Sequence, residues 1–360
     1  MTLESLPIYF LVANSADGFV NGFKNAYDVN DNWHAYLIKG GPGTGKSSFM
    51  KKFAAHTVSL NVKTEIIPCS SDPDSLDAVI LPEKKIIILD ATAPHTLDPV
   101  YPGVCEEILN FGQFWNIAVM EPKKEEILNL TNENKDLHLR ASRLLSAIGQ
   151  IMRNEMKISL LATDIDKTFD YGEKLAKRYL KNNGKKGKEW VRYLSGVTPK
   201  GLVFYKDTID KICEKKVLIS DEYGTVSNIL FSVIRDISLS FGYEIITVRN
   251  NFLPDEKIDH ILIPELSLAF CTTNAFSDMD CENIRKIHAE RFMHRDVIKA
   301  NRSKILFGRR VIKELLANTV GTLRDAKEIH DRLEACYIKA MDFDKLNSFF
   351  TDFVNELTFE

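Results

Sequence analysis

The chain has 360 residues, 44% of them apolar and 27% charged, with a formal net charge of −3. That length allows two domains of ordinary size, and the composition is that of a globular protein rather than a disordered one. The small net charge gives no electrostatic ground for nucleic-acid binding, no apolar run reaches the length of a membrane span, and "MTLESLPIYF" lacks the basic-then-apolar layout of a signal peptide. Six scattered cysteines without a C-x-x-C point to reduced thiols in a cytoplasm rather than to a disulfide frame or a zinc site.

In chain order, residues 35–38 read as a buried strand running into a glycine loop, and residues 47–60 as a helix with Phe49, Phe53 and Ala54 on one side. "TEIIPC" (64–69) and "KIIILDAT" (85–92) are further strands. Strands alternating with helical stretches predict an α/β fold with a parallel, doubly wound sheet, a three-layer α/β/α arrangement. From 122 to about 180 the pattern turns helical, with Leu137, Ala141, Leu144, Ile148, Ile151 and Met152 in one apolar stripe. "KNNGKKGKEW" (181–190) is Gly- and Lys-rich without periodicity and reads as a solvated connector, with a phosphate or nucleic-acid contact as the alternative.

After it the plan restarts: strand 216–220, helix 228–241, strands 243–248 and 265–273. "PDSLDAVILPE" (73–83) is echoed by "PDEKIDHILIPE" (254–265), and "DATAPH" (90–95) by "TTNAF" (272–276). The C-terminal stretch is again helical through Leu316, Val320, Leu323, Ile329, Leu333, Tyr337 and Ala340. The reading is a tandem duplication in which each unit is an α/β layer followed by a helical hairpin. Residues 1–190 form the first unit, with its helical insertion at about 122–180, and residues 191–360 the second.

Gly40, Gly45, Lys46 and Ser47 satisfy G-x-x-x-x-G-K-[ST] between a strand and a helix. Glycines let backbone N–H groups curl around phosphate oxygens, and a helix starting near Lys46 aims the positive end of its dipole at the same anion. Gly40, Gly41, Pro42, Gly43, Thr44, Gly45, Lys46, Ser47 and Ser48 are the expected nucleotide contacts, with Lys46 on the β and γ phosphates. Ser47 is expected to ligate Mg2+ together with Asp90, which ends the apolar run "IIILD" as a Walker B aspartate would. No Glu follows Asp90, so the commonest ATPase base position is empty. Asp72, Asp74 and Asp77 can orient a water or an acceptor hydroxyl, with Asp72 the chosen catalytic candidate, or they can do turn and cap work around Pro73. His95 can sense the γ-phosphate or be structural, and Arg140, Arg143 and Arg153 can close over phosphates or be solvated helix charges. "NKDL" (134–137) lacks the carboxylate of a guanine-selective N-K-x-D, which leaves ATP by elimination.

"ISDEYGTVSNIL" (219–230) is a spoiled copy of that loop. In the frame of the shared Gly-Thr pair, Asp221 stands for Gly40, Glu222 for Gly41, Val226 for Gly45 and Ser227 for Lys46, while Thr272 stands for Asp90. Like charges about 4 Å apart at an effective dielectric near 20 repel by about 4 kcal/mol, so this copy is expected not to bind a phosphate. It is left to scaffold, to regulate, to cover the first site or to hold a protein partner, and Arg309 and Arg310 are candidates for an arginine finger from this half. "SLLATDIDKTF" (159–169) matches the first motif of haloacid-dehalogenase-type phosphatases, with Asp164 as nucleophile and Asp166 as acid/base, but "CYIKAMDFDKLNSFF" (336–350) repeats it at a second hairpin end.

The strings "KGGPGTGKSSFMKK", "SSDPDSLDAVILPE", "DATAPHTLDPVYPG", "VTPKG" and "AKEIHDRLE" followed by "MDFDKL" resemble a family of bacterial tandem (double) P-loop ATPases over nearly the whole chain. The resemblance implies two tandem P-loop NTPase units with helical additions, ATP binding and hydrolysis, with Gly40 to Ser48 and Asp90 as the nucleotide residues. Members generally carry a recognisable loop in both halves, and this chain departs from that in the second. The expected activity is a Mg-dependent ATPase. The alternatives are a small-molecule kinase that uses the Asp72–Asp77 loop to hold its acceptor and a non-catalytic nucleotide sensor.

Overall fold

The structure, a computed structural model, describes residues 5–93, 96–279 and 286–357. In the first half a hairpin β1 (Val12–Ser15) and β2 (Gly18–Asn21) precedes β3 (His34–Lys39), α1 (Lys46–Ser59), β4 (Glu65–Pro68), β5 (Leu76–Leu81), β6 (Ile86–Asp90) and β7 (Glu106–Asn110). Then come α2 (Ile117–Met120), the 39-residue α3 (Lys124–Ala162) and α4 (Ile165–Tyr179). In the second half β8 (Lys188–Arg192) and a hairpin β9 (Ser195–Thr198) and β10 (Gly201–Phe204) precede α5 (Asp207–Ile212), β11 (Lys215–Ser220), α6 (Thr225–Ser240), β12 (Glu244–Arg249), β13 (Ile258–Ile263), β14 (Leu268–Thr273) and β15 (Lys286–His288). Helices α7 (Arg295–Ala300), α8 (Arg302–Ile338) and α9 (Phe343–Glu356) end the chain.

The chain is α/β, as its alternation of elements predicts, but its sheets are mixed. The first runs β4-β5-β6-β3-β7, and the second β12-β13-β14-β11-β15 with β8 beyond β12. The senses match step for step: β4/β5 and β5/β6 antiparallel, β6/β3 and β3/β7 parallel, and likewise β12/β13, β13/β14, β14/β11 and β11/β15. Even the register shifts correspond, at Ile67/Pro68 and at Val248/Arg249. The expected fully parallel sheet is therefore corrected. Residues 73–83 and 254–265, to which the sequence pattern assigns no element, carry strands. They contain β5 and β13, which run backwards because each follows its predecessor through a connection too short for a crossover.

The expected three-layer arrangement is also corrected. Long helices cover only the outer face of each sheet. Ile38, Val79, Leu81 and Ile88 pack with Phe49, Met50 and Phe53 of α1, and Val217, Ile219, Ile261 and Phe270 with Val226, Leu230 and Ile234 of α6. The inner faces meet in one shared core, where Ala35, Leu37, Ile87 and Leu89 of the first sheet join Leu218, Leu262, Ala269 and Cys271 of the second. Trp33 and Trp190 sit 5.4 Å apart within it. Strands apolar on both faces read the same whether a helix or another sheet covers them, which is why four layers were not foreseen.

The halves also exchange helices. Leu175 and Ala176 of α4 pack into the outer core of the second sheet, and Leu346 and Phe353 of α9 into that of the first. Between them α3 and α8 lie antiparallel: Leu130 shares a cluster with Ile329 and Leu333, while Glu155 meets Arg309 at the other end, 3.7 Å away. The expected stripe on α3 is nearly right, with Leu145 rather than Leu144 in the seam beside Ala141, Ile148 and Met152. The segment 181–187 is irregular, but the expected boundary at 190 falls inside β8, which is paired with β12. The backbones of Phe10 and Tyr193 exchange hydrogen bonds of 2.8 and 2.9 Å where the halves meet. No helix among the described residues is long and apolar enough to cross a membrane, and the described cysteines form no disulfide.

His260, on the inner face of β13, stacks on Phe204 with ring centroids 5.7 Å apart and lies 3.4 Å from Ser277 Oγ through Nε2. Burial pushes its pKa down to about 4; neighbouring Asp259 opposes this and Lys257 adds to it. The folded pKa of this base lies below its unfolded value of about 6.5, so the unfolded chain takes up the proton first as pH falls. The stabilising effect is complete above pH 6.5 and is lost between about 6.5 and 4, on the order of 3 kcal/mol. Urea unfolding of the His260→Gln chain should lose that slope between pH 7 and 4.5; an unchanged slope would assign it to other groups.

Candidate phosphate-binding site

The 40–45 loop connects β3 to α1, and Gly45 caps the helix at φ 83°, a left-handed conformation that Gly adopts without steric cost. From the first helical position Lys46 folds back, its ammonium 2.8 Å from the carbonyl oxygens of Gly40 and Gly41 and 3.5 Å from Asp90 Oδ2. Asp90 comes from the end of β6, next to β3, and its Oδ1 accepts from Thr92 N–H at 2.9 Å. Thr92 Oγ1 in turn donates to Gly40 O at 2.8 Å, and Thr44 Oγ1 to Gly41 O at 2.8 Å. Ser47 Oγ accepts from Leu76 N–H at 3.0 Å, tying the start of α1 to β5 and leaving a second lone pair on the oxygen. Ser48 is exposed at the start of the helix. The structure thus brings Lys46, Asp90 and the loop together.

Asp72 has turn duties. Its carboxylate accepts from Asp74 N–H at 3.3 Å and Ser75 Oγ at 2.8 Å and lies 3.7 Å from Lys327 of α8. Asp74 is held 2.7 Å from Lys200, and Asp77 is buried on β5. Arg153 bonds Glu256 and Asp17 at 2.6 and 2.5 Å, while Arg140 and Arg143 are exposed. His95 and Cys281 lie outside the described residues. Asp164 and Asp342 are N-caps of α4 and α9, accepting from Lys167 N–H and Lys345 N–H, and 159–162 ends a helix rather than a strand. The dehalogenase-like motif is therefore a repeated helix start.

Sequence reasoning missed what covers the loop. Glu334, near the end of α8, accepts from Gly43 N–H through Oε1 at 3.3 Å. A Cβ on Gly43 would stand 2.8 Å from the Glu334 carbonyl oxygen, one on Gly41 3.2 Å from the Trp115 ring, and one on Gly45 2.9 Å from Leu346. The glycines thus serve the approach of α8 and α9 as well as that of any anion. His330, 3.6 Å from Glu334, holds the Glu334 carboxyl below its usual range; burial works against this, and the Gly43 amide and Lys327 act with it. A carboxylate near the C-terminal end of a helix approaches the negative end of the dipole, and that mismatch is a signal the sequence carried.

The second loop has a different frame from the expected one. Only four residues, 221–224, separate β11 from α6, against six, 40–45, in the first loop. Gly224, at φ 74°, therefore takes the place of Gly45, and Thr225 that of Lys46; Val226 and Ser227 follow one and two positions further on. The shared Gly-Thr pair misled because both loops need a left-handed glycine before the helix. Asp221 is fully buried, and its carboxylate accepts from the N–H groups of Tyr223 and Gly224 at 3.0 Å and of Ser227 at 2.8 Å. It occupies the helix N-terminus as an internal anion. The register of β14 against β11 does place Thr272 opposite Ile219 as Asp90 lies opposite Ile38. Arg309 belongs to this loop, 3.6 Å from Glu222, and Arg310 lies over Phe307.

Comparison with family models, with curated proteins and with solved structures finds no match to this chain.

Each buried amide that loses its acceptor costs about 1–3 kcal/mol. Asp221→Ala should therefore lower the unfolding free energy in urea by about 3 kcal/mol or more. An unchanged urea midpoint would mean that these amides find other partners.

Proposed function

We propose that the protein is a Mg-dependent ATP-binding protein, an ATPase with one working loop in its N-terminal half and a non-binding copy in its C-terminal half that scaffolds or regulates. One contrast supports this above all: Lys46 stands beside Asp90 in the first loop, whereas Asp221 holds the amides of the second for itself. The matching strand order of the two sheets supports a duplication behind it. So do the hairpins β1–β2 and β9–β10, in which Ser15 Oγ and Thr198 Oγ1 make the same two turn bonds, to Gly18 O and Asp17 N–H and to Gly201 O and Lys200 N–H.

In this reading Lys46 and the N–H groups of 40–48 other than Pro42, which has none, hold the phosphates, with the helix N-terminus adding its dipole. Lys46 would exchange its two carbonyl partners for phosphate oxygens. Ser47 and Asp90 are oxygen donors of the kind magnesium takes. Among the described residues no group of three or more His, Cys, Asp or Glu could hold a metal, so the remaining ligands would be phosphate oxygens and water. Bound there, magnesium would neutralise charge developing on the transferred phosphoryl group. Glu334 stands on the Gly43 amide, so phosphate has to displace a carboxylate supplied by the second half.

Lys46→Ala should weaken Mg-ATP binding by calorimetry about a hundredfold, while Thr225→Ala, at the corresponding place in the second loop, should leave it unchanged; equal losses would defeat the asymmetry. Glu334→Ala should tighten Mg-ATP binding about tenfold by removing a competing anion. Unchanged or weaker binding would show that the carboxylate does not compete. With γ-labelled ATP, free phosphate identifies an ATPase and a labelled small molecule a kinase.

A further inference from the structure

Beside the glycine loop lies an open cavity of about 880 Å³, walled by residues 113–119 after β7 and by 339–345 at the corner between α8 and α9. Backbone hydrogen bonds join its walls, Asn116 N–H to Ala340 O at 2.8 Å and Asp342 N–H to Phe114 O at 3.0 Å, so the cavity belongs to both halves of the chain. Two of the side chains that line it also stand close to loop glycines. The Trp115 ring would lie 3.2 Å from a Cβ on Gly41, and the Phe343 ring 3.4 Å from one on Gly45.

The sheet order fixes its direction from the site. Asp90 ends β6 on one side of β3, and the 113–119 wall follows β7 on the other. A polyphosphate with its terminal group at Lys46 and Asp90 has room to extend its far end toward the β7 side, where Trp115 meets Gly41. The chemistry there suits a flat heteroaromatic ring. Ile117 is 73% exposed, and Val119 and Phe343 are each 38% exposed. Apolar side chains gathered at a cleft mark a ligand face, and the amides of Gln113 and Asn116 can read a ring edge. In the second half Met293, which bridges to Thr163 as Trp115 does to Met341, lines a cavity of only about 220 Å³.

We propose that the cavity between 113–119 and 339–345 is the subsite for the base and ribose of the nucleotide, built jointly by the two halves. The inference rests on reading the glycine loop as the phosphate site, and the test separates the two. Binding of Mg-ATP and of Mg-tripolyphosphate is measured by calorimetry on the full chain, on Phe343→Ala and on Ile117→Lys, the latter a change at an exposed position that leaves the core untouched. Wild type should bind Mg-ATP at least about tenfold more tightly than Mg-tripolyphosphate. Each variant should lose about tenfold for Mg-ATP and keep its tripolyphosphate affinity within about twofold. Equal affinity of wild type for the two ligands, or variants with unchanged Mg-ATP affinity, would overturn the base subsite while leaving the phosphate site standing. Failure of wild type to bind either ligand would overturn both.

Discussion

A helix N-terminus can satisfy one anion at a time. Its first amides have no partner within the helix, and whichever negative group sits on them excludes the next. The two loops of this chain differ in how that place is filled. In the second, Asp221 is covalently part of the loop, fully buried and held by three N–H groups. In the first, Glu334, almost three hundred residues away in sequence, touches one amide of the loop ahead of the helix, that of Gly43, at 3.3 Å. A group held by one contact from another element can leave; a group tethered within four residues cannot.

The layer order explains why the visitor comes from the other half. With both inner faces used in the shared core, each sheet can take helices only on its outside, and each outer face is completed by a helix of the opposite half, α9 on the first and α4 on the second. The long helices that deliver them must cross the molecule, and α8 therefore ends over the first loop as α3 ends near the second, where Met156 O accepts from Thr225 Oγ1 at 3.3 Å. Such exchange packs a helix of each half into the outer core of the other, and it sets α8 against the Gly43 amide.

Much of this was legible in the sequence. The strand before the loop, the helix after it, Asp90 at the end of an apolar run and a second strand, loop and helix at 215–240 follow from local periodicity and turn chemistry, which sequence records directly. What failed was non-local. β5 looks like any apolar run, and only the shortness of its connection forces it antiparallel. The frame of the second loop slipped by two residues because a Gly-Thr pair was matched where the left-handed glycine, Gly224 against Gly45, sets the correspondence. Trp115, Glu334 and Phe343 reach the loop from distant parts of the chain, and residue type alone gives no such distance. The hairpin turns at Ser15 and Thr198 could have been found, since each has Gly three residues on at positive φ.

The account stands most directly on where a triphosphate settles. A crystal structure of the full chain with a non-hydrolysable ATP analogue and magnesium should show phosphate density against residues 40–48 only, with Glu334 withdrawn from the Gly43 amide and Asp221 still holding its three. Phosphates seated at 221–227, or Glu334 unmoved beside a fully occupied first loop, would contradict it.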